Sequence, residues 1–569
     1  MSIPRFWVSA YLFACACSKE VPADLVVDGG RIHTLDAANN TVQALAVRGG
    51  VLVYVGDDPS PWIGPETLHL ELGGDTVVPA FHDSHTHLLW SGADLLMVDL
   101  YAANTVQELQ DTVSVWADAH PDEAWVQGGG WDTATFYGRI DRTTLDAVVT
   151  DRPAYVYSSD AHIGLASSLA LAAAGITAAT PDPVDGTIER DAQGEPTGIL
   201  LEGAMSLVDS IIPAYSDATV DQGLRDAQAE ANGYGIVSVV DANVDAWMLE
   251  GYQRADSAGA LTVRVFGAAQ VDPGDPDPVG RLQDWALTYG SPRVSVVGAK
   301  LYLDGIIESQ TAYMLEPYED GTNGVPVFSD DELVGLATRL DAAGFQLHAH
   351  AIGDGAVRQL FDTVAAVEMN NGRRDRRALA AHIEVVDPAD IARFAEHGVF
   401  ADFQPLWAWP DSYIEDLTIP VIGPERSEWL YPIGPVVEAG GTFVGGSDWS
   451  VTSQNPFLAI EAAVTRQSPF SNSGSVLTPG SVVSPLIALR AYTSEGAKSS
   501  FSEDYSGTLE VGKRADFLVL NGDPLLVEPA AISEIRVRQT WLEGERVYER
   551  SARTSDPEPR QRQHHGEGR

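Results

Sequence analysis

The sequence predicts an α/β protein in which a (β/α)8 barrel, a TIM barrel, is joined to a β-sandwich built from both chain ends. An insertion is expected after the first barrel strands. Three observations predict this architecture. Between residues 79 and 504, short apolar segments alternate with helical segments rich in Ala, Leu and Glu, as in parallel βα units. Glycine-closed β segments occupy residues 23–78 and return at 505–550. At 569 residues the chain also exceeds the usual length of one domain.

Ten apolar segments are the strand candidates of the middle region. They cover residues 76–80, 125–128, 154–158, 236–240, 261–265, 294–303, 346–350, 378–383, 399–403 and 442–446. Their number suits an eight-stranded barrel with additional strands. Residues from about 125 to 205 contain too many turn signals for one βα unit, so we expect the insertion there. Because the β segments at the two ends bracket the middle region, residues 79–504 are expected to form one domain.

The charge balance excludes some classes of partner. The chain has 35 basic and 81 acidic residues, a net charge of −46, and its residues are 44% hydrophobic. Such a composition is typical of a folded globular protein. A strongly negative field repels phosphate backbones and anionic membrane surfaces. We therefore expect no nucleic acid as a partner. A small-molecule substrate is compatible with this charge, and a homodimer is left open.

The first 22 residues have the order of an export signal. An apolar run over residues 6–16 is too short for a membrane-spanning helix, which needs about 20 residues. Both Cys15 and Cys17 stand where bacterial lipoproteins carry their lipidated cysteine, so either is a candidate for a lipid anchor. The chain is then an exported cell-envelope lipoprotein or a periplasmic protein. It is cytoplasmic if this segment is an incidental apolar start that is not processed. Residues 551–569 are expected to form a disordered tail.

The histidine pair His85 and His87 is the first candidate for metal binding. The pair ends the segment Val-Pro-Ala-Phe-His-Asp-Ser-His-Thr-His, residues 78–87. Side chains two apart leave a strand on the same face, so both imidazoles can point at one ion. Neutral imidazole is a preferred zinc ligand. We expect Asp83 to orient the site as a hydrogen-bond acceptor and His82 to take no part.

Further ligand types occur where later strand candidates end, the position at which barrel enzymes carry their chemistry. Lys300 lies in an apolar strand, where an unpaired ammonium group would be costly to bury. His350 ends another strand, with His348 on the same face. His382 and Asp448 close two more. Because both cysteines lie near the N-terminus, a metal in the folded body must be bound through nitrogen and oxygen.

The blocks that contain these residues resemble the amidohydrolase superfamily, and specifically the family 3 branch that includes N-substituted formamide deformylase. The similar blocks cover residues 78–88, 300–312, 350–357, 446–451 and 507–517. Three positions depart from the family pattern. Ala80 stands where glycine is usual, the neighbours of His382 differ, and Ser167 replaces a common asparagine.

The resemblance implies a ligand set and a reaction. His85, His87 and Asp448 would hold one divalent metal, and His350 and His382 a second. Lys300 would bridge the two as a carbamate, which supplies the oxygens that an ammonium group lacks. One or two zinc ions would then activate a hydroxide that hydrolyses the carbon-nitrogen bond of a linear, non-peptide amide. Asp448 would relay a proton to the leaving amine.

Three residues are candidate substrate contacts. They are Trp131, His162 and Trp407, of which the two tryptophans lie in predicted loops, as does Trp409. Aromatic side chains in such loops contribute just as often to ordinary core packing. Two other functions are left open: an esterase, lactonase or phosphoester hydrolase on the same scaffold, and a catalytically inactive, exported metal-binding protein.

Overall fold

The computed structural model describes residues 21–471 and 474–551. The predicted lipidation sites Cys15 and Cys17 and almost all of the predicted tail lie outside the described residues. The strands are β1 (Leu25–His33), β2 (Thr41–Arg48), β3 (Val51–Gly56), β4 (Leu68–Glu71), β5 (Thr76–Pro79), β6 (Phe81–Thr86), β7 (Val98–Asp99), β8 (Val126–Trp131), β9 (Ala154–Ser158), β10 (Ile163–Ala166), β11 (Gly186–Arg190), β12 (Pro196–Glu202), β13 (Ile236–Val244), β14 (Arg264–Gln270), β15 (Val294–Tyr302), β16 (Gln346–Ala351), β17 (Leu379–His382), β18 (Phe400–Phe403), β19 (Thr442–Gly445), β20 (Phe517–Leu520), β21 (Val537–Leu542) and β22 (Glu545–Glu549).

The helices lie mainly between these strands. They are α1 (Leu88–Asp94), α2 (Val106–Ala119), α3 (Thr133–Phe136), α4 (Arg142–Asp146), α5 (Ser168–Ala173), α6 (Ser206–Asp209), α7 (Asp217–Gly233), α8 (Ala246–Ser257), α9 (Pro278–Tyr289), α10 (Asp330–Ala342), α11 (Asp354–Asn371), α12 (Arg393–His397), α13 (Ile419–Ser427), α14 (Ile433–Glu438), α15 (Pro456–Thr465), α16 (Pro485–Ala491) and α17 (Ser494–Ser499). Within the described ranges, no helix is both long enough and apolar enough to cross a membrane.

Eight parallel strands form the barrel, in the order β6, β13, β14, β15, β16, β17, β18 and β19. Backbone hydrogen bonds bring the last strand back to the first. The amides of Ser447 and Asp448 donate to the carbonyl oxygen of His85, at 3.1 and 2.8 Å. Strands β16 to β18 are buried along their whole length, as expected for strands covered on both faces. The predicted barrel fold is confirmed.

The first strand candidate, residues 76–80, does not form the first barrel strand. Thr76–Pro79 is β5, which pairs with β1 and β20 outside the barrel. The barrel begins with β6, which contains His85 itself. Strands β5 and β6 follow each other almost directly, so one continuous apolar segment contributes to two different sheets. The sequence alone does not show where the first strand ends and the second begins.

Both chain ends build one further sheet, as predicted. Its order is β22, β21, β20, β5, β1, β2 and β3, and β4 pairs with β1. Strand β20 lies antiparallel between β5 and β21, so the C-terminal hairpin extends a sheet begun by the N-terminal strands. Buried apolar side chains from both ends, such as Val27 and Phe517, share one core.

A third sheet is inserted between barrel strands β6 and β13. Its order is β11, β12, β10, β9, β8 and β7. The strand candidates at 125–128 and 154–158 fall in β8 and β9 of this sheet, not in the barrel. The sheet already begins with β7 at Val98, upstream of residue 125. It has an apolar core of its own, which includes Leu109, Val126 and Trp131.

Ionic contacts join the barrel to the terminal sheet. Arg264 at the start of β14 is buried, and its guanidinium donates to Asp516 at 2.6 and 3.0 Å and to Glu543 at 3.0 Å. Arg293 and Arg514 also contact the Glu543 carboxylate. Burial alone would raise the pKa of Glu543, but the arginines, led by Arg264, lower it to about 2.

We expect Glu543→Gln to destabilise the fold in a pH-dependent way. Because the folded-state pKa lies below the ordinary 4.5, the contribution is complete above pH 4.5 and is lost as the pH falls toward 2. Allowing for partial exposure, the loss at pH 7 is about 2 kcal/mol. Urea unfolding at pH 7 and pH 4 measures it, with Glu549→Gln in the exposed pair with Arg546 as control. A deficit that does not shrink at the lower pH would contradict this assignment.

Candidate metal centre

Five barrel positions bring ligand-type side chains to one end of the barrel. His85 belongs to β6, Lys300 to β15, His350 to β16, His382 ends β17, and Asp448 follows β19. All five are buried. The carboxyl ends of parallel strands face the same side of a barrel. Residues separated by more than 350 positions in the chain therefore become neighbours.

The first cluster consists of His85, His87 and Asp448. The Oδ1 atom of Asp448 lies 3.1 Å from Nε2 of His87 and 3.4 Å from Nε2 of His85. Lys300 joins the cluster, because its Nζ atom is 3.2 Å from the same Nε2 of His85. One imidazole nitrogen of His85 thus faces both a carboxylate and the lysine.

His350 and His382 stand beside this cluster. Their ring centroids are 4.6 Å apart, and those of His382 and His85 are 4.8 Å apart. The Nδ1 atom of His382 lies 2.9 Å from Oε1 of Gln404, and Nε2 of His350 lies 3.1 Å from the carbonyl oxygen of Gly305. These contacts use one nitrogen of each ring and leave the other for a metal. The structure thus brings together all six predicted metal ligands.

A second group, not predicted from the sequence as a site, lies behind His85. The Nδ1 atom of His85 is 2.8 Å from Nε2 of His348 and 3.5 Å from Oδ2 of Asp402. Asp402 is also 3.4 Å from His348. A carboxylate or imidazole on the far nitrogen of a ligand histidine fixes its tautomer and orientation. Asp402 lies in the apolar strand candidate 399–403, so a buried charge in a strand, the signal that singled out Lys300, could have found it.

Burial dominates the electrostatics of the centre. It lowers the pKa values of His85, His348, His350 and His382 well below the ordinary 6.5, and neighbouring positive groups lower them further. The imidazoles are therefore neutral, the form that binds metal. Burial also lowers the pKa of Lys300 to about 8, partly opposed by Asp448 and Asp402.

Two of the ligand-type residues have backbone conformations that side chains rarely adopt. The φ angle is +51° at Asp448 and +75° at His382. Such conformations cost on the order of 1–3 kcal/mol and occur mainly where function requires them. At Asp448 the hydrogen bond from its amide to His85 holds the backbone in place.

The residues present fit a divalent metal. Oδ1 of Asp448 is buried and accepts no hydrogen bond from the described residues, although two imidazole nitrogens face it. An unsatisfied buried oxygen is costly unless a cation or donor compensates for it. Two groups of His and Asp atoms, His85–His87–Asp448 and His85–His348–Asp402, each converge within 4.8 Å. Imidazole nitrogen and carboxylate oxygen suit zinc and related divalent ions.

The three predicted substrate contacts do not all lie at the centre. His162 and Trp407 line a cavity above the centre, and the ring of Trp407 stacks on His382 with centroids 5.4 Å apart. Trp131 does not line it. Its side chain is fully buried in the core of the inserted sheet, where its Nε1 donates to the carbonyl oxygen of Val156. Trp131 therefore ends a buried strand and does not lie in a loop. Trp409 contacts Phe470 away from the centre.

His162 forms a buried ion pair at the cavity wall. Its Nδ1 atom lies 2.7 Å from Oε2 of Glu202. Burial alone would lower the pKa of His162, but Glu202 outweighs it and raises the pKa to about 9. Thr311, in the loop after β15, donates to the same carboxylate at 2.9 Å. At neutral pH the cavity therefore presents a positively charged imidazole close to His350, 5.9 Å between ring centroids.

The two other residues of the first motif lie as their sequence context suggested. Oδ1 of Asp83 accepts hydrogen bonds from the amides of His85 and Ser447, at 3.1 and 3.0 Å, and so supports the turn that carries the ligands. His82 stacks on Phe266 with centroids 5.6 Å apart, away from the centre.

Residues 70–548 match the family model described as the amidohydrolase family. The chain belongs to this family. It is 29% identical over 543 residues to the Bacillus subtilis protein YtcJ, named an amidohydrolase, with 92% of this chain and 99% of that protein covered. It is 28% identical over 554 residues to the N-substituted formamide deformylase of Arthrobacter pascens, with 93% and 99% covered. A metal-dependent hydrolase of Pyrococcus horikoshii has a similar structure, with a TM-score of 0.71, 25% identity and 89% and 99% coverage.

We expect His87→Ala to reduce metal content while leaving this amidohydrolase folded. Changes beside a ligand already cost 10–100-fold in metal affinity, so loss of a ligand should cost on the order of 100-fold or more. Metal content by mass spectrometry after dialysis against a weak chelator measures the effect. His82→Gln, in the same motif but facing Phe266, is the matched control and should keep its metal. Equal metal content in both variants would exclude His87 as a ligand.

Proposed function

We propose that this amidohydrolase cleaves the carbon-nitrogen bond of a linear, non-peptide amide. The observation that carries the proposal is the convergence of His87, Lys300 and Asp448 on the floor of one cavity, with His85 directly behind them. The family supports hydrolysis in general, and the name of the Arthrobacter relative supports an N-substituted amide.

The proposed ligands are divided between two metal positions. His85, His87 and Asp448 would hold one ion, His350 and His382 the other, with Lys300 between them. Zinc suits such nitrogen and oxygen donors. When bound, the metal supplies a water of lowered pKa and polarises the carbonyl group.

Asp448 is suited to move the proton that amide hydrolysis requires. An amine leaves only after its nitrogen is protonated, so a group must take a proton from the attacking water and return it to nitrogen. The Asp448 carboxylate lies beside His85 and His87 and also lines the cavity. It can therefore reach both the water and the substrate nitrogen.

His162 is suited to bind the carbonyl oxygen. Its Nδ1 faces Glu202, so the N–H at Nε2 is available to a substrate in the cavity. Negative charge develops on the carbonyl oxygen when water attacks, and a fixed positive donor stabilises it. Glu202 keeps the imidazole charged and fixes its orientation.

Lys300 is proposed to act as a carbamate. Its neutral amine would attack carbon dioxide, forming an N–C bond and releasing one proton. The lowered pKa of Lys300, about 8, increases the neutral fraction, and no carboxylate among the described residues forms an ion pair with Nζ. The product would present oxygens in place of N–H donors toward the facing nitrogens of the histidines.

Matched substrates test the reaction class. We expect the zinc-loaded enzyme to hydrolyse N-benzylformamide and N-benzylacetamide, releasing benzylamine. Benzyl esters of the same acids should react more slowly, and benzyl phosphate should not react, because no arginine of the described residues lines the cavity to bind a phosphate. Release of benzylamine is followed by chromatography. Faster cleavage of the esters or of the phosphate, in protein with full metal content, would contradict the proposal.

The carbamate is tested separately. Lys300→Ala should lose metal and activity, and short carboxylic acids should restore part of both by supplying the missing oxygens. Carbon-13 NMR of wild-type protein in labelled bicarbonate should show a carbamate signal that is absent from the variant. Lys498→Ala, at an exposed lysine paired with Glu495, is the control. Full metal content and activity in Lys300→Ala would exclude the bridging role.

A further inference from the structure

The cavity above the metal centre is large and has two kinds of wall. Its volume is about 1350 Å³, larger than a typical small-molecule site of about 300–1,000 Å³. Five of the six metal-ligand candidates, all except His85, form its floor. Side chains of the inserted sheet and of the segments around α1 and α8 form one side. The cavity therefore has room for a part of the substrate that extends away from the reacting bond.

Four aromatic residues, which we call the aromatic wall, form that side: Trp90, Tyr157, Tyr215 and Trp247. The wall begins next to the centre, where Trp90 packs edge-to-face on His87 with centroids 5.6 Å apart. The ring centroids of Trp90 and Tyr157 are 6.0 Å apart, and those of Tyr215 and Trp247 are 5.5 Å apart. All four line the cavity and are only partly buried.

A partly buried carboxyl group connects the two halves of the wall. The hydroxyl groups of Tyr157 and Tyr215 both donate to Asp94, one to each carboxylate oxygen. Asp94 lines the cavity as well, and its surroundings raise its pKa to about 7, chiefly by desolvation. The two tyrosine rings are thus held by hydrogen bonds at their far ends.

The charges of the lining favour one sign of ligand. Thirteen carboxylates line the cavity, against two cationic side chains among the described residues: Lys300 on the floor and His162, which is paired with Glu202. No arginine of the described residues lines it. Acidity alone decides little, because the whole chain has 81 acidic and 35 basic residues. Aromatic ring faces next to carboxylates are more specific evidence for a cationic ligand. Ring faces attract organic cations, and the attraction is stronger when the pair is desolvated.

We propose that the substrate is a linear amide whose remote end is an organic ammonium group held against the aromatic wall. The inference rests on the proposed amide hydrolysis for the reacting end, whereas the cation site itself depends only on the wall and the carboxylates. Substrates with a carboxylate or phosphate at the remote end are excluded by the same charges. The negative field of the chain also concentrates cations at the cavity.

Binding of three probes of the same shape tests the wall without catalysis. They are choline, the neutral 3,3-dimethylbutan-1-ol and the anionic 3,3-dimethylbutanoate. Calorimetry on the metal-loaded enzyme should show choline binding at least tenfold more tightly than the alcohol, and no binding of the acid. Equal binding of choline and the alcohol, or preference for the acid, would overturn the inference.

Variants locate the site. Trp247→Leu should weaken choline binding about tenfold or more, and Trp247→Phe, which keeps a ring face, should retain most of it. Trp285→Leu, at a tryptophan that contacts Arg281 on α9, should bind choline like wild type. Melting temperatures verify that each variant is folded. Choline binding that is unchanged in Trp247→Leu would place the cation elsewhere and overturn the assignment.

Matched formamides separate this inference from the proposed reaction. Formamides whose nitrogen carries a 2-(trimethylammonio)ethyl, a 3,3-dimethylbutyl or a 3-carboxypropyl group should show kcat/KM in that decreasing order, with at least tenfold between the first two. Equal values would overturn the cation preference and leave amide hydrolysis standing. Choline binding at the wall without hydrolysis of any formamide would support the cation site and contradict the proposed reaction.

Discussion

Closure of the barrel is the constraint on which the site depends. The carbonyl oxygen of His85 accepts hydrogen bonds from the amides of Ser447 and Asp448, which join the first strand to the segment after the last. These bonds place the Asp448 carboxylate within 3.5 Å of both His85 and His87. They also hold Asp448 at a positive φ angle. Without them, the two ends of a long domain would have no fixed relation.

The barrel supplies the reacting groups and the inserted sheet supplies most of what surrounds them. Glu202, at the end of β12, binds His162 on one side and Thr311 of the barrel loop on the other. This carboxylate fixes the insertion over the metal centre. Because the aromatic wall draws on segments on both sides of the insertion, the cavity takes its shape only when the two units are in contact. Loops and insertions of this kind determine substrate choice on a barrel whose chemistry is unchanged.

The sequence indicated the candidate ligands where the signal was local. His85 and His87 share one motif, and Lys300, His350, His382 and Asp448 each follow or interrupt an apolar strand, so strand ends alone indicated that they would converge. The aromatic wall could not be predicted in this way. Its members are dispersed over residues 90–247 in four separate segments, and no spacing relates them. The interpretation of Trp131 as a loop residue was wrong, because its glycine-rich neighbourhood suggested a loop where the chain forms a buried strand.

The buried lysine shows why the centre needs a further group. A charged Lys300 would lie 3.2 Å from a histidine nitrogen, and burial disfavours that charge. A neutral Lys300 still offers N–H groups where a cation needs lone pairs. Asp448 brings negative charge into the same buried region, whereas burial and the neighbouring Asp83 raise the pKa of Asp402 well above its ordinary value. The imidazoles cannot neutralise Asp448, because burial keeps them uncharged. A bound cation, together with the carbamate proposed for Lys300, would satisfy these groups, so residues that are costly in isolation would form a stable set.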